Sequence, residues 1–324
     1  MNKFFCNALF PALSLIAMFS CKPWHEDRGA IFNTLYEIKY QSNELLSDKI
    51  SASFREFSLS LNPFNPNSII TKINRNEDVE ADNMFIAVFN RANEISELSG
   101  GAFDGTVSPL INLWGFGFKN ADSVSQPKID SIMAFVGYNK IRLDGKRAVK
   151  DDPRVELNFS AIAKGFASDV IGALLEREGV ENYMINIGGE VAVKGVNPNN
   201  NCWSIGINKP EDDNEGMTNE IEHIVKLCDK SGLATSGNYR NYYIRDGKKY
   251  AHTIDPKTGY PSGNSMLSAT IIAADCMTAD ALATACMALG EERALNMLSK
   301  LPDIRYFLII ADETKPTGYR TVQK

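Results

Sequence analysis

The chain has 324 residues, 44% of them hydrophobic and 23% charged, with a formal net charge of −6. That composition belongs to a globular protein long enough for one large domain or two intermingled lobes. The acidic balance excludes a nucleic-acid partner gripped through its phosphates, and a phosphorylated ligand would need local cations or a metal to neutralise it.

The N-terminus, MNKFFCNALFPALSLIAMFSCK, places one lysine before an apolar stretch interrupted by Asn7 and Pro11. The stretch is shorter than a membrane span and reads as an export signal over residues 1–20. Ser20 before Cys21 has the form of a lipoprotein cleavage site, which predicts Cys21 as the acylated first residue of the mature chain. Residues 21–30 are predicted as a polar linker, and TLYEIKYQS alternates as a strand. SDKISASFREFSLSLN follows as an amphipathic helix, and PFNPNS as a turn. DNMFIAVFNRANEISELSGG is a helix capped by Asp82 and stopped by Gly100 and Gly101.

SVSQPKIDSIMAFVG predicts a short helix, and KIRLDGKRAVK a hairpin about Asp144-Gly145. VELNF is read as a strand leading into the long helix SAIAKGFASDVIGALLEREG. NYMINIGGEVAVKG predicts two strands kinked at Gly188-Gly189. CWSIGINKP, HIVKLCDKSGLATSG, NYYIRDGKKYAHTID and MLSATIIAA are further strands. TADALATACMALG and ERALNMLSKLP are helices, and IRYFLIIAD is the predicted final strand. Neighbouring strands dominate the second half, which favours an α+β fold of largely antiparallel sheets with packed helices. Beyond Cys21 the cysteines 202, 228, 276 and 286 form no CxxC pair and are too sparse for a disulfide framework.

Five stretches carry chemistry-bearing residues. GGAFDGTVSPLINLWGFG combines glycines that allow close approach to a ligand with Phe103, Trp114, Phe116 and the polar Asp104. NFSAIAKGFASD sets Asn158, Ser160 and Lys164 at a helix entry, where unpaired N–H groups and a lysine favour anions. INIGGEV puts Glu190 after a glycine pair that suggests a bulge. ATSGNYR gathers Ser236, Gly237, Asn238 and Arg240 at a turn. TADALATA places Asp280 and Thr284 on one helix face, oxygen donors of the kind Mg²⁺ takes. Each has a plain structural alternative: core aromatics, a helix cap, a bulge, a tight turn.

In this order, together with HTIDPKTGYP, these motifs resemble the FAD:protein FMN transferases, the ApbE family, over nearly the whole chain from about Thr34. The resemblance implies a single domain over residues 31–324, with two intermingled lobes and the flavin site between them. It implies an enzyme that takes FAD and Mg²⁺ and transfers FMN to a Thr or Ser hydroxyl of an acceptor protein, releasing AMP. The metal ligands would be Asp280, Thr284 and a backbone carbonyl near Ala161. FAD contacts would come from Ala102, Phe103, Asp104, Asn158 and Lys164, from Gly188, Gly189 and Glu190, and from Ser236, Gly237, Arg240 and Ile254. Phe64 falls where the family has an aromatic over the flavin. Two positions depart from the family pattern: Asn158 stands where Asp is common, and LNPF precedes the Phe64 site where a Met-Ser-x-Tyr type is frequent.

The attacking alcohol needs a proton acceptor, and imidazole has a suitable pKa. Of the three histidines only His252 lies in one of these motifs, in the stiff stretch YAHTIDPKTGYPSG. The acceptor would be a membrane-associated redox subunit, met on the periplasmic side by an enzyme lipid-anchored at Cys21. An FAD pyrophosphatase and a non-catalytic FAD-binding lipoprotein are the competing readings.

Overall fold

The computed structural model describes residues 22–116, 124–210, 220–238, 242–245, 248–251 and 253–324. The predicted signal segment and Cys21 lie outside them. The chain opens with a hairpin, β1 (Trp24–Ile31) and β2 (Thr34–Gln41), paired along its whole length. Most of the expected linker is therefore a strand. It reads as polar because it is a sheet edge, where one set of side chains faces water and forms ion pairs such as Arg28 with Glu37 at 2.8 Å.

Helices α1 (Ser47–Leu61), α2 (Ile69–Asn74) and α3 (Asn83–Leu98) follow. Asp82 caps α3 as predicted, its side chain accepting from Phe85 N at 2.8 Å. Next come α4 (Ser108–Leu113), α5 (Gln126–Met133) and the hairpin β3 (Ile141–Asp144) with β4 (Arg147–Lys150), turning at Gly145. VELNF is not a strand. Val155, Leu157 and Phe159 are buried in alternation, but the Asn74 side chain takes the place of a partner strand. Its Oδ1 accepts from Leu157 N and its Nδ2 donates to Leu157 O, each at 2.8 Å.

The second half contains α6 (Ala163–Arg177), β5 (Tyr183–Ile187), β6 (Glu190–Lys194), β7 (Trp203–Asn208), β8 (Ile221–Leu227) and β9 (Ser231–Gly237). After β10 (Tyr242–Arg245) and β11 (Lys248–Ala251) come β12 (Met266–Ala273), α7 (Cys276–Leu289), α8 (Glu291–Ser299), β13 (Arg305–Ala311) and β14 (Tyr319–Gln323). The predicted last strand, β13, is thus followed by one more. Gly188-Gly189 is not a bulge but the two-residue turn of the β5–β6 hairpin, with Ile187 facing Glu190. Both glycines have positive φ, 65° and 104°, as such a tight turn requires.

Eight strands form one antiparallel sheet in the order β1-β2-β5-β6-β9-β12-β13-β14. Its two faces are separated by alternation. Ile185, Ala192, Ala234, Ile271 and Leu308 face the helices, in the main core. Met184, Val193, Leu233, Ile272 and Phe307 face the β7–β8 ribbon, packing on Trp203, Ile207, Val225 and Leu227. A smaller cluster of Leu110, Trp114, Ile129 and Ile254 makes a satellite lobe from α4, α5 and the loop after β11. The expected α+β class, antiparallel sheet and intermingled lobes are all present.

The cysteine reading needs correction, because Cys202 and Cys228 are joined by a disulfide. They lie one step beyond the paired Trp203 and Leu227, so the ribbon itself brings them together. Sequence spacing cannot show this, since the pairing depends on strand register. Closing a loop with a sequence separation of 26 should stabilise the fold by about 3 kcal/mol. Replacing both cysteines with serine is expected to lower the unfolding free energy by that amount in urea titrations, with a somewhat larger m-value because the freed denatured chain exposes more surface.

Candidate functional site

The site depends on how closely α7 approaches its neighbours. A Cβ at Gly165 of α6 would lie 2.3 Å from Cys276 O, and one at Gly232 of β9 only 2.2 Å from Cys276 N. With glycine at both positions, the start of α7 wedges between α6 and the sheet. Asp280, one turn further along, then meets the first turn of α6, and its Oδ2 accepts the Gly165 N–H at 3.0 Å. Its Oδ1 takes no hydrogen bond among the described residues. Thr284 follows on the same face, its hydroxyl 3.2 Å from Ser236 Oγ on β9.

These groups open on a cavity of about 610 Å³ between the sheet end, the α6–α7 pair and the satellite lobe. Ala102, Phe103 and Asp104 line one side, Asn158, Ala161 and Lys164 another, and Gly188, Gly189 and Glu190 a third. Ser236, Gly237, Ile254, Asp280 and Thr284 complete it. Segments far apart in sequence thus converge on one space.

Much of the lining is braced from within. Both carboxylate oxygens of Asp104 are engaged, Oδ1 by the Thr106 N–H and hydroxyl at 2.7 and 2.6 Å, Oδ2 by the Tyr138 N–H at 2.8 Å. It therefore shapes the 102–106 turn. Asn158 Oδ1 accepts from Ser160 N at 2.8 Å, and Asn186 Oδ1 from Gly189 N at 2.9 Å. The loop bearing Ile254 is stapled twice. Trp114 Nε1 donates to Gly259 O at 2.8 Å, and Asn264 Nδ2 donates to Met287 O at the end of α7, also at 2.8 Å.

Phe64 does not line the cavity. It is 61% exposed, in a turn closed by Asn62, whose Oδ1 accepts the Phe64 N–H at 3.0 Å. Arg240 and His252 lie outside the described residues. The sequence reading missed Ile205 to Asn208, the part of β7 that walls the cavity, and also Asn186. A glycine within an alternating strand, Gly206, was the available sign of a close approach.

Charge in the cavity is unbalanced. Lys164 Nζ pairs with Glu190 Oε1, but Glu190 is only 3% exposed and its Oε2 has no partner among the described residues. Burial, assisted by the Asp280 charge, pushes the Glu190 carboxyl up to about 7 against the opposing pull of Lys164. Burial also raises Asp280, against Lys164 and the Gly165 N–H. Burial would lower Lys164, but the charges of Glu190 and Asp280 override it and hold the ammonium above its ordinary value. Asp169, on α6 behind the cavity, is likewise pushed up to about 7 by burial, against N–H groups of Cys276 and Met277.

Two of these shifts fix a pH dependence. The unfolded chain releases the protons of Asp169 and Glu190 in the ordinary carboxylate range, while the folded chain keeps them up to about pH 7. The stability they contribute is complete below about pH 4 and lost as pH rises through about 7. The cation-free protein is therefore expected to be roughly 2–3 kcal/mol more stable at pH 6 than at pH 8. Calorimetry in EDTA checks this, and a flat or opposite trend would mean that both carboxylates stay ionised.

Among the described residues no group of three or more His, Cys, Asp and Glu could hold a metal. A cation here would rely on mixed oxygen donors, and these are present. Asp280, Thr284 and Ala161 border the same space. Hard oxygen donors around uncompensated negative charge suit a divalent cation such as Mg²⁺.

Residues 32–308 match the ApbE family. The chain is 34% identical over 303 residues to the FAD:protein FMN transferase of Vibrio cholerae, covering 89% of each sequence. It is 34% identical to that of Haemophilus influenzae over 302 residues, 88% of this chain and 86% of the other. Among solved structures, the flavin transferase ApbE from Vibrio cholerae superposes with a TM-score of 0.82 at 30% identity, over 94% of this chain and 97% of that one. The apo flavinyl transferase ApbE of Pseudomonas stutzeri gives 0.83 at 29% identity, over 94% and 96%.

Proposed function

The chain belongs to the ApbE family, and on that footing we propose that it transfers FMN from FAD to a Thr or Ser hydroxyl of an acceptor protein, releasing AMP. The observation that carries this reading is the cavity itself. Asp280, Thr284, Lys164 and the Gly188–Glu190 turn share one space, where among the described residues the buried carboxyl groups of Asp104, Glu190 and Asp280 are set against the Lys164 ammonium. The relatives' activity supports it as well.

In this reading Ala102, Phe103, Ile254 and the Gly188-Gly189 turn hold FAD, with Ser236 and Gly237 contributing polar contacts. Glycine at 188 and 189 lets the main chain lie against the cofactor without a side chain between them. Asp280, Thr284 and the Ala161 carbonyl hold Mg²⁺, which supplies positive charge to the phosphoryl oxygens when bound. Lys164 adds a second positive charge beside the pyrophosphate.

The acceptor hydroxyl oxygen attacks the phosphorus of the FMN half. A new P–O bond forms as the bond to the bridging oxygen breaks, and AMP leaves with that oxygen. His252 takes the hydroxyl proton. Positioning and charge neutralisation supply most of the rate, as in other phosphoryl transfers.

We also propose that the enzyme is exported and lipid-anchored at Cys21, acting in the periplasm on a membrane-associated redox subunit. The Cys202–Cys228 disulfide supports an oxidising compartment.

The test is incubation of the chain with FAD, Mg²⁺ and a flavin-accepting domain bearing a reactive Thr, following covalent flavin and AMP. One AMP per flavinylated acceptor is expected. AMP with free FMN and no labelled acceptor would make the protein a pyrophosphatase, and tightly bound, unchanged FAD would make it a carrier. His252→Ala should retain FAD binding and lose most transfer; a full rate would remove the histidine from the mechanism.

A further inference from the structure

The helices α6 and α7 cap each other. A helix leaves its first N–H groups without partners inside the helix. In α7 its own cap, Asp275, supplies one side-chain acceptor, to Thr278 N at 2.7 Å. The N–H groups of Cys276 and Met277 instead reach across to α6, to Asp169 Oδ1 at 2.9 Å and Oδ2 at 2.8 Å. The reverse tie runs from α7 to α6, where Asp280 Oδ2 accepts the N–H of Gly165, in the first turn of α6. Gly165 and Asp169 are four residues apart on α6, and Cys276 and Asp280 four apart on α7, so both ties lie on facing stripes. The close approach at Gly165 keeps those stripes in contact.

We propose that Asp169 is a positioning residue for the cation ligands. By holding the first turn of α7 against α6, it sets Asp280 and Thr284 at the height of Ala161 and Lys164. It does not border the main cavity, so it acts only through α7. Both its oxygens are used, so a single-acceptor side chain cannot replace it. The groups facing it are Asp275 and Lys230, which oppose each other in charge, and Tyr183, which lines the same small pocket. The inference rests on the proposed placement of Mg²⁺ at Ala161, Asp280 and Thr284.

The test measures binding rather than turnover alone. Mn²⁺ is titrated into the FAD-free full chain and followed by electron paramagnetic resonance, and FAD is titrated in EDTA and followed by fluorescence. Asp169→Ala should weaken Mn²⁺ binding by about 10- to 100-fold, the usual effect of removing a group that orients a ligand. FAD affinity in EDTA should stay within about twofold. Asp169→Asn keeps one acceptor and should fall between Ala and the parent chain. In turnover, the Mg²⁺ concentration for half-maximal rate should rise while the rate at saturating Mg²⁺ largely recovers.

Unchanged Mn²⁺ affinity in Asp169→Ala would overturn the proposal. So would an equal loss of Mn²⁺ and FAD binding, which would mark a merely structural residue. Asp280→Ala serves as the control for the underlying reading. If it too leaves Mn²⁺ binding intact, the cation lies elsewhere and the Asp169 proposal falls with that placement.

Discussion

Asp280→Ala should reduce Mg²⁺-dependent FMN transfer by at least about 1,000-fold. A catalytic cation contributes several kcal/mol, and each 1.4 kcal/mol is about tenfold in rate. Asp280 is the single carboxylate among the three proposed ligands, and the nearby Glu190 commits its Oε1 to Lys164. The folded state should lose little. Asp280 is 4% exposed and burial disfavours its charge, so removing it relieves that cost while leaving the Gly165 N–H without its acceptor. The expected result is a melting temperature within a few degrees of the parent in EDTA, combined with lost turnover and lost stabilisation by Mg²⁺. Initial rates and melting curves with and without Mg²⁺ check this. A rate within tenfold of the parent would place the cation elsewhere.

The second large effect is on stability. Gly165→Ala would put a methyl group 2.3 Å from Cys276 O and 2.8 Å from Asp280 Cβ. Neither contact is the end of a flexible side chain, so α6 and α7 must separate. Overpacking of this kind costs about 1–3 kcal/mol or more, outweighing the roughly 1 kcal/mol that alanine gains over glycine inside a helix. The melting temperature should fall by a few degrees, and Mg²⁺ should stabilise the variant less than the parent. Gly263→Ala is the matched control, because a Cβ there meets nothing within 4 Å and the residue has no positive φ. A Gly165→Ala variant as stable as that control would show that the helix contact is slack.

What was legible in the sequence follows from how local its causes are. The α3 cap at Asp82 and the Gly145 hairpin were read correctly because each is set by a few adjacent residues. The motifs lining the cavity could be named because their order along the chain resembles that of the ApbE family; taken one at a time, each had a plain structural explanation. β1 was missed because an edge strand carries too little apolar pattern to stand out. VELNF was misread because its alternating burial is real, while its hydrogen-bond partner is the side chain of Asn74, 83 residues away. The Cys202–Cys228 bridge, the Ile205–Asn208 wall and the mutual capping of α6 and α7 all depend on which distant segments become neighbours. Periodicity carries no such information.

The strand order of the large sheet has a bearing on how the protein is made. Each strand of that sheet lies beside the one that precedes it in the chain, with the small hairpins budding off between neighbours. The sheet can therefore lengthen at one growing edge as successive segments emerge, without waiting for a late strand to insert between early ones. Apart from the β2–β5 pairing, which joins Tyr40 to Tyr183 across the helical segment, these closures are short in sequence and cost little chain entropy during assembly. The last strand to arrive is β14, at the far edge from β1, whereas the cavity is drawn from earlier segments, the latest of them α7. The ligand space can thus be complete before the C-terminal edge closes.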